Sequence, residues 1–568
     1  MKHKERSRTR IISFSILLVS LVLIARLYYV QIINGQNYSD KANGQYIRPT
    51  ETVFDRGSIF FNTKDDKLVA AATVKTGYFL FITPKSLINA EGAYIEISKY
   101  ITVDKALFLA KASKKGDPYE EIIHRLDEKT ADTLAGLSIP GVALHEEHWR
   151  YYPGDHLSAG TVGLMGFQGD DYAGRYGLEK FYDENLSRDS SALYSNFFAE
   201  IFNGVSSVFT NQKHEADIVT TIEPNIQRFL ESELNKINEA WHPLETGAIV
   251  IEPSTGEIRA FAVSPTFDPN NPQAEKSSAV FSNPLVENSY EMGSIIKPLT
   301  MAAGIDAQVI KATSTYNDQG TLELNGRRIS NFDGKGRGVV SMQEVLNQSL
   351  NTGVVYVMQK LGRGLFSSYF RSFGLGEKTG IDLPNESPGL IANLESTRDI
   401  EHATASFGQG IAMSPVSITR ALSVLANGGF LVTPHLVKTI NYRIGLSQKA
   451  PVPEPKQILK KETTQEITRM LVNVVDKALL DGAVKMPHYS IAAKTGTAQI
   501  AKPAGGGYYD DRFLHSFFGY FPAYNPRFLV FFYAYEPVGA RYASATLTNP
   551  FIDTAKFLIN YYEIPPDR

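Results

Sequence analysis

The alternation of apolar and polar positions changes style several times along the chain. Residues 1–10 are polar and basic, with five Lys/Arg and one Glu. Ile11–Ala25 is then a fifteen-residue run whose only polar members are Ser13, Ser15 and Ser20. Arg26 interrupts it, and Leu27–Ile33 continues mostly apolar with two tyrosines. A membrane span needs about 20 apolar residues, or about 17 at the short end. Ile11–Tyr29 meets this if Arg26 reaches the interface beside Tyr28 and Tyr29. No small-x-small cleavage pattern follows. The pattern therefore predicts a cytoplasmic basic stub over 1–10 and a retained single-pass anchor over 11–33. The remainder is then expected to lie outside the inner membrane.

Residues 34–218 carry no sustained period. They read as an extended, mixed, non-catalytic pedestal. It has short β-like runs at Thr52–Phe54 and Thr76–Ile82 and a Lys/Asp/Glu-rich helical stretch over Asp104–Leu137. From Val219 the pattern sharpens, and 219–568 reads as a second domain. A strand leads into an amphipathic helix with Pro224 in its first turn. Two apolar runs, Thr246–Ile251 and Ile258–Val263, are joined by a turn-like EPSTGE and predict a hairpin. The chain then reads as helical to about residue 480. Ser490–Ile500, Ser516–Phe521 and Phe528–Tyr535 are strand candidates, and Pro550–Tyr562 is a closing helix. Strands, a helical block, strands and a helix predict an α+β fold, one antiparallel sheet sandwiched by helices.

Composition narrows the chemistry. The 568 residues are 43% hydrophobic and 21% charged, which are globular values. The net charge of −3 gives no global signal for nucleic acid. The absence of cysteine excludes a disulfide framework, thiolate metal sites and a cysteine nucleophile.

Ser294-Ile-Ile-Lys297 is the only S-x-x-K in the chain. On a helix, i and i+3 share a face, so Lys297 can serve the Ser294 hydroxyl as a base if its pKa is lowered. Ser349-Leu350-Asn351 is the only S-x-N. Lys-Thr-Gly occurs at 75–77, 378–380 and 494–496. Only the third follows both other motifs and lies in an apolar strand, continuing to Thr497. No G-x-S-x-G is present, which excludes a serine-triad esterase of that type.

This ordered trio is that of active-site-serine penicillin-binding enzymes. The chain resembles a class B penicillin-binding protein, a monofunctional peptidoglycan D,D-transpeptidase. Further boxes support the resemblance: Arg56-Gly-Ser-Ile59, Arg150-Tyr-Tyr-Pro153, Gly177-Leu-Glu179, Pro265-Thr-Phe-Asp-Pro-Asn270, Ala405-Ser-Phe-Gly-Gln-Gly410 and Ala426-Asn-Gly-Gly429. The pedestal boxes set the chain apart from class A bifunctional enzymes. The long pedestal and anchor set it apart from D,D-carboxypeptidases and β-lactamases of the same fold. Intact motifs argue against a non-catalytic division scaffold. There are departures. The family's E-P-G-S is Glu291-Met292-Gly293-Ser294, and Phe60-Phe61-Asn62 replaces the usual Asp-Arg-Asn. An aromatic stretch, Tyr194–Phe209, stands where a glycine-rich link is usual, and reads as a packed helix of the pedestal or as a surface for membrane or a partner helix.

The resemblance implies a role for each site residue. Ser294 is the nucleophile and Lys297 its base. Ser349 relays a proton to the leaving amine, and Asn351 holds the Lys297 ammonium and the substrate amide. Lys494 supplies positive potential, Thr495 and Thr497 bind the substrate carboxylate, and Gly496 leaves room for substrate along the strand edge. The backbone N–H groups of Ser294 and Thr497 form the oxyanion hole. Stem peptides are the implied substrates, β-lactams the implied inhibitors, and no cofactor or metal is needed. S-x-N with Asn resembles the septal division group, with elongation as the alternative. A polytopic glycan-strand polymerase and other cell-wall machinery are the implied partners, with Arg26 and Tyr194–Phe209 as candidate contacts.

Overall fold

The computed structural model describes residues 54–169, 171–188, 215–503 and 506–568. The expected anchor at 11–33 with its Arg26, and the stretch Tyr194–Phe209, lie outside them. Among the described residues no helix is long and apolar enough to cross a membrane.

The described part of the region read as irregular forms regular strands and helices. Strand β1 (Ile59–Asn62) pairs antiparallel with the long β2 (Leu68–Ile82). Helices α1 (Ala90–Ile97) and α2 (Lys105–Ala112) precede β3 (Glu120–Leu126), α3 (Glu128–Gly136) and β4 (Val142–Tyr151). Both β3 and β4 pair with β2. The expected helical stretch over Asp104–Leu137 is thus corrected to helix, strand, helix. Gly116 and Pro118 interrupt the helical path. Asp104 and Asp127 each start a new helix by accepting a backbone N–H, from Leu107 and Thr130.

Three boxes far apart in the chain meet in one buried ion cluster. Glu179, fully buried, accepts from Arg56 Nε at 2.8 Å and from Arg150 Nε at 2.6 Å. The Tyr152 hydroxyl adds a bond at 3.3 Å. Arg56 also donates to the Glu179 carbonyl, and Arg150 to the Gly57 carbonyl. Gly57 must be glycine, because a Cβ there would lie 2.0 Å from the Ala216 oxygen.

That oxygen belongs to β5 (Ala216–Thr220), which pairs parallel with β1. The expected boundary at 218/219 falls within this strand. After it come α4 (Pro224–Trp241), β6 (Glu245–Ile251) and β7 (Ile258–Ser264). Pro224 is in the first turn of α4, and the Glu223 carboxylate accepts the N–H groups of Asn225 and Ile226. Ile226, Leu230, Leu234 and Ile237 form its buried stripe.

The central block holds α5 (Lys297–Asp306), α6 (Asn351–Leu361), α7 (Pro415–Ala426) and α8 (Lys461–Asn473). It is not wholly helical as expected. Thr315–Asp318 pairs with Gly338–Ser341, and Thr321–Leu324 with Arg327–Ser330. The second hairpin turns at Asn325-Gly326, both with positive φ. Asn-Gly between alternating residues was a legible hairpin signal that the helical reading passed over. Between α7 and α8, β8 (Val437–Tyr442) pairs with β5, so sequence-distant parts share one sheet.

The last elements are β9 (Ala492–Ala501), β10 (Tyr508–Phe521), β11 (Phe528–Tyr535) and α9 (Ala543–Tyr561). Strand order in the five-stranded sheet is β9-β10-β11-β6-β7, all neighbours antiparallel. The unbroken apolar run of β11 follows from burial on both faces. Leu529, Phe531 and Tyr533 pack into the core on the helical-block side. Phe528, Val530, Phe532 and Ala534 pack with α4 and α9 on the other. Burying each large side chain contributes about 1.5–3 kcal/mol. The expected helix–sheet–helix sandwich is what forms. β9 lies at the sheet edge, with one side of its backbone ladder open.

Candidate active site

Ser294 lies in a 3₁₀ turn, Gly293–Ile296, that runs into α5 at Lys297. The expectation was an α-helical i, i+3 pair. In a 3₁₀ turn, residues three apart eclipse each other, which still sets Ser294 and Lys297 on one side. Gly293 has φ +63°, and a Cβ there would lie 2.9 Å from the Thr497 oxygen. Only glycine lets the turn approach β9 this closely. Its N–H donates to Gly408, another positive-φ glycine, whose own Cβ would lie 2.2 Å from the Gly293 oxygen. The Ala405–Gly410 box thus packs directly on the Ser294 turn.

Lys297 is fully buried. Its Nζ donates to the Ser349 carbonyl at 2.5 Å and to Ser349 Oγ at 3.1 Å. Burial, and then the charge of Lys494, hold its pKa well below the usual lysine range. Lys494 is itself buried, and burial brings it down to about 8. Neither lysine has an ion-pair partner among the described residues. For Lys297 this depression favours the neutral amine, the form that can accept a proton.

Ser349 takes φ +53°, an uncommon conformation for a residue with a Cβ. The turn is fixed from behind. Asp318, buried, accepts from Thr352 Oγ1 at 2.7 Å and from Asn331 Nδ2. Asn351 Nδ2 donates to the Ser330 carbonyl at 2.8 Å. The hydrogen bonds of Lys297 Nζ go to Ser349, and the expected Asn351 contact is not among them. The Asn351 amide group instead reaches the hairpin that ends at Ser330.

On β9, Lys494 Nζ donates to the Thr495 carbonyl at 2.9 Å. Thr495 and Thr497 are half-buried. Thr497 Oγ1 accepts the Ala543 N–H at 3.1 Å, at the start of α9, and keeps its own proton to donate. Glycine at 496 is also required from within the protein: a Cβ there would lie 2.3 Å from Ser516 Oγ and 2.7 Å from the Met292 oxygen.

The other two Lys-Thr-Gly triplets have local roles. Gly77 on β2 passes under Trp149, whose ring a Cβ would meet at 2.8 Å. Thr379 donates its N–H at 2.6 Å and its hydroxyl at 2.5 Å to Glu386, closing a loop. Sequence reading gave no site role to Ser516 or Asp318, and quoted Gly293 and Gly408 only as members of motif boxes; all four support the site. Their contacts run between segments too distant for any local pattern to link.

Comparison with known proteins agrees with this geometry. The penicillin binding protein transpeptidase domain matches residues 246–554. The chain is 29% identical over 545 residues to stage V sporulation protein D of Bacillus subtilis, covering 94% of this chain and 82% of that protein. It is 26% identical over 549 residues to the peptidoglycan D,D-transpeptidase FtsI of Escherichia coli, covering 94% and 88%. In fold it is similar to penicillin binding protein 3 of Mycobacterium tuberculosis, with a TM-score of 0.68 at 22% identity, covering 91% of this chain and 98% of that one. With the domain matched across the Ser294 turn, the Ser349 turn and β9, the chain belongs to the penicillin-binding protein transpeptidase family, among the class B peptidoglycan D,D-transpeptidases.

Proposed function

We propose that the protein cross-links peptidoglycan stem peptides through an ester on Ser294, in septal wall synthesis. The observation that carries this is the buried, charge-depressed Lys297 beside the Ser294 turn, with the edge strand Lys494–Thr497 opposite. Lys297 Nζ takes the Ser294 proton as Oγ attacks the carbonyl between two D-alanines. The N–H groups of Ser294 and Thr497 stabilise the oxyanion, each such donor being worth about 3 kcal/mol. The C–N bond breaks, and the leaving D-alanine amine receives a proton through Ser349. An amine from a neighbouring strand then attacks the ester, its proton returns along the same path, and Ser294 is regenerated. Substrate binds by adding along β9, with Thr495, Thr497 and Lys494 taking the terminal carboxylate. A β-lactam acylates the same serine. Asn351 is free to turn from Ser330 to the substrate amide. Residues 11–33 anchor the chain in the inner membrane with the catalytic region periplasmic. The pedestal and anchor face a polytopic glycan-strand polymerase.

The direct test is mass spectrometry of the protein treated with a penicillin. One adduct on the peptide containing Ser294 supports the reading, and an adduct on another serine overturns it. A second test separates the lysines. Lys494→Ala removes the charge that helps depress Lys297, so the Lys297 pKa rises. The base must be neutral to act, so the acidic limb of the acylation–pH profile should move to higher pH. An unshifted limb would show that Lys494 acts on substrate alone.

A further inference from the structure

The two N–H groups assigned to the oxyanion come from different elements. Ser294 is on the 3₁₀ turn and Thr497 on β9, so something must fix the distance between them. Ser516 of β10 pairs in register with Gly496. It is fully buried, and its hydroxyl donates to the Met292 carbonyl at 2.8 Å, two residues before the nucleophile. The hydroxyl reaches the turn through the space that a Cβ on Gly496 would fill, 2.3 Å from Ser516 Oγ. One residue on, the positive-φ Gly293 seats the turn against the Thr497 carbonyl. The turn is therefore docked on the sheet at two adjacent points, a hydroxyl under Gly496 and a backbone contact at Thr497.

We propose that Ser516 is a positioning residue for acylation: through Gly496 it pins Met292 and so sets the register of the Ser294 turn against Thr497. It touches neither substrate nor reacting atoms. The proposal rests on the reading that Ser294 is acylated. Loss of the pin lets the turn shift relative to β9. Misplacement of about 1 Å in a reacting geometry costs on the order of a hundredfold in rate. The substrate-binding groups of Thr495, Thr497 and Lys494 lie on β9 itself and keep their places, so the effect falls on the chemical step.

The experiment is stopped-flow acylation by a chromogenic cephalosporin, resolving the pre-acylation Kd from the first-order acylation constant. Wild type, Ser516→Ala, Ser516→Cys and Ser294→Ala are compared, with thermal melts alongside. No adduct on Ser294→Ala, with acylation of wild type, keeps the parent reading separate from this one. Ser516→Ala should lower the acylation constant roughly tenfold to a hundredfold with Kd held within about twofold. Ser516→Cys, a near-isostere with a weak donor, should fall between. An unchanged acylation constant in Ser516→Ala, or a parallel loss in both constants, overturns the proposal. If Ser516→Ala does not fold, Ser516→Cys decides: a lowered acylation constant at constant Kd supports it, and an unchanged one overturns it.

Discussion

Alanine in place of Ser294 is expected to abolish covalent penicillin labelling, and alanine in place of Lys297 to slow it by about 10²–10⁴-fold at every pH. Ser294 is the serine whose turn is docked on the edge strand, and no other serine has lysine three residues on. Lys297 is buried, held by Ser349 and depressed by burial and by Lys494, which is the setting of a base. Removing its amine leaves the hydroxyl without an acceptor, so no pH restores the rate. Removing Lys494 instead moves the profile along the pH axis. The check is the acylation rate of each folded variant across pH 5–10, with labelling read on a gel. A Lys297→Ala protein that kept the wild-type profile would place the base elsewhere.

Glu179→Ala is expected to destabilise the protein by about 3–5 kcal/mol, the usual cost of breaking a buried ion pair. Glu179 accepts from both Arg56 and Arg150, and all three are buried. Its loss leaves Arg150 with the Gly57 carbonyl, and Arg56 with Asp183 at 2.8 Å, Ser187 and the backbone carbonyl of residue 179. The penalty is chiefly that of a buried charge left unpaired. Replacing Arg56, Arg150 and Glu179 together by apolar residues should therefore cost less than Glu179→Ala alone. Urea denaturation of wild type, Glu179→Ala and the triple variant gives the comparison. A triple variant weaker than the single one would mean that the cluster contributes net attraction beyond its desolvation cost. Stabilities of whole domains are about 5–15 kcal/mol, so this one carboxylate carries a large share.

Much of the fold and the identity of the site were legible without coordinates. The unbroken apolar run of Phe528–Tyr535, the periodic stripe of α4 behind Pro224 and the 246–263 hairpin are all local patterns. An element that must bury a face writes that face at its own period. The order Ser294, Ser349, Lys494 pointed to the chemistry through its resemblance to the motif trio of penicillin-binding enzymes. Local pattern failed where neighbours decided the outcome. Asp104–Leu137 has a helical composition, yet Glu120–Leu126 is a strand because β2 offers it a ladder. Asn-Gly at 325–326 was readable, but the helical reading of its surroundings overrode it.

The sequence by itself determined which serine and which lysines could act, and in what family. Only the tertiary structure decided how they are tuned and held. The Lys297 amine is depressed because of its burial and of Lys494, 197 positions away; neither is visible in four residues of sequence. Asn351 turns to Ser330 rather than to Lys297 because a hairpin supplies a carbonyl. Gly496 is glycine because Ser516 and Met292 meet beneath it. The physical reason is the same each time. Residue type and spacing record what a segment can do, whereas proton affinity, rotamer and close approach depend on which distant atoms exclude water around it.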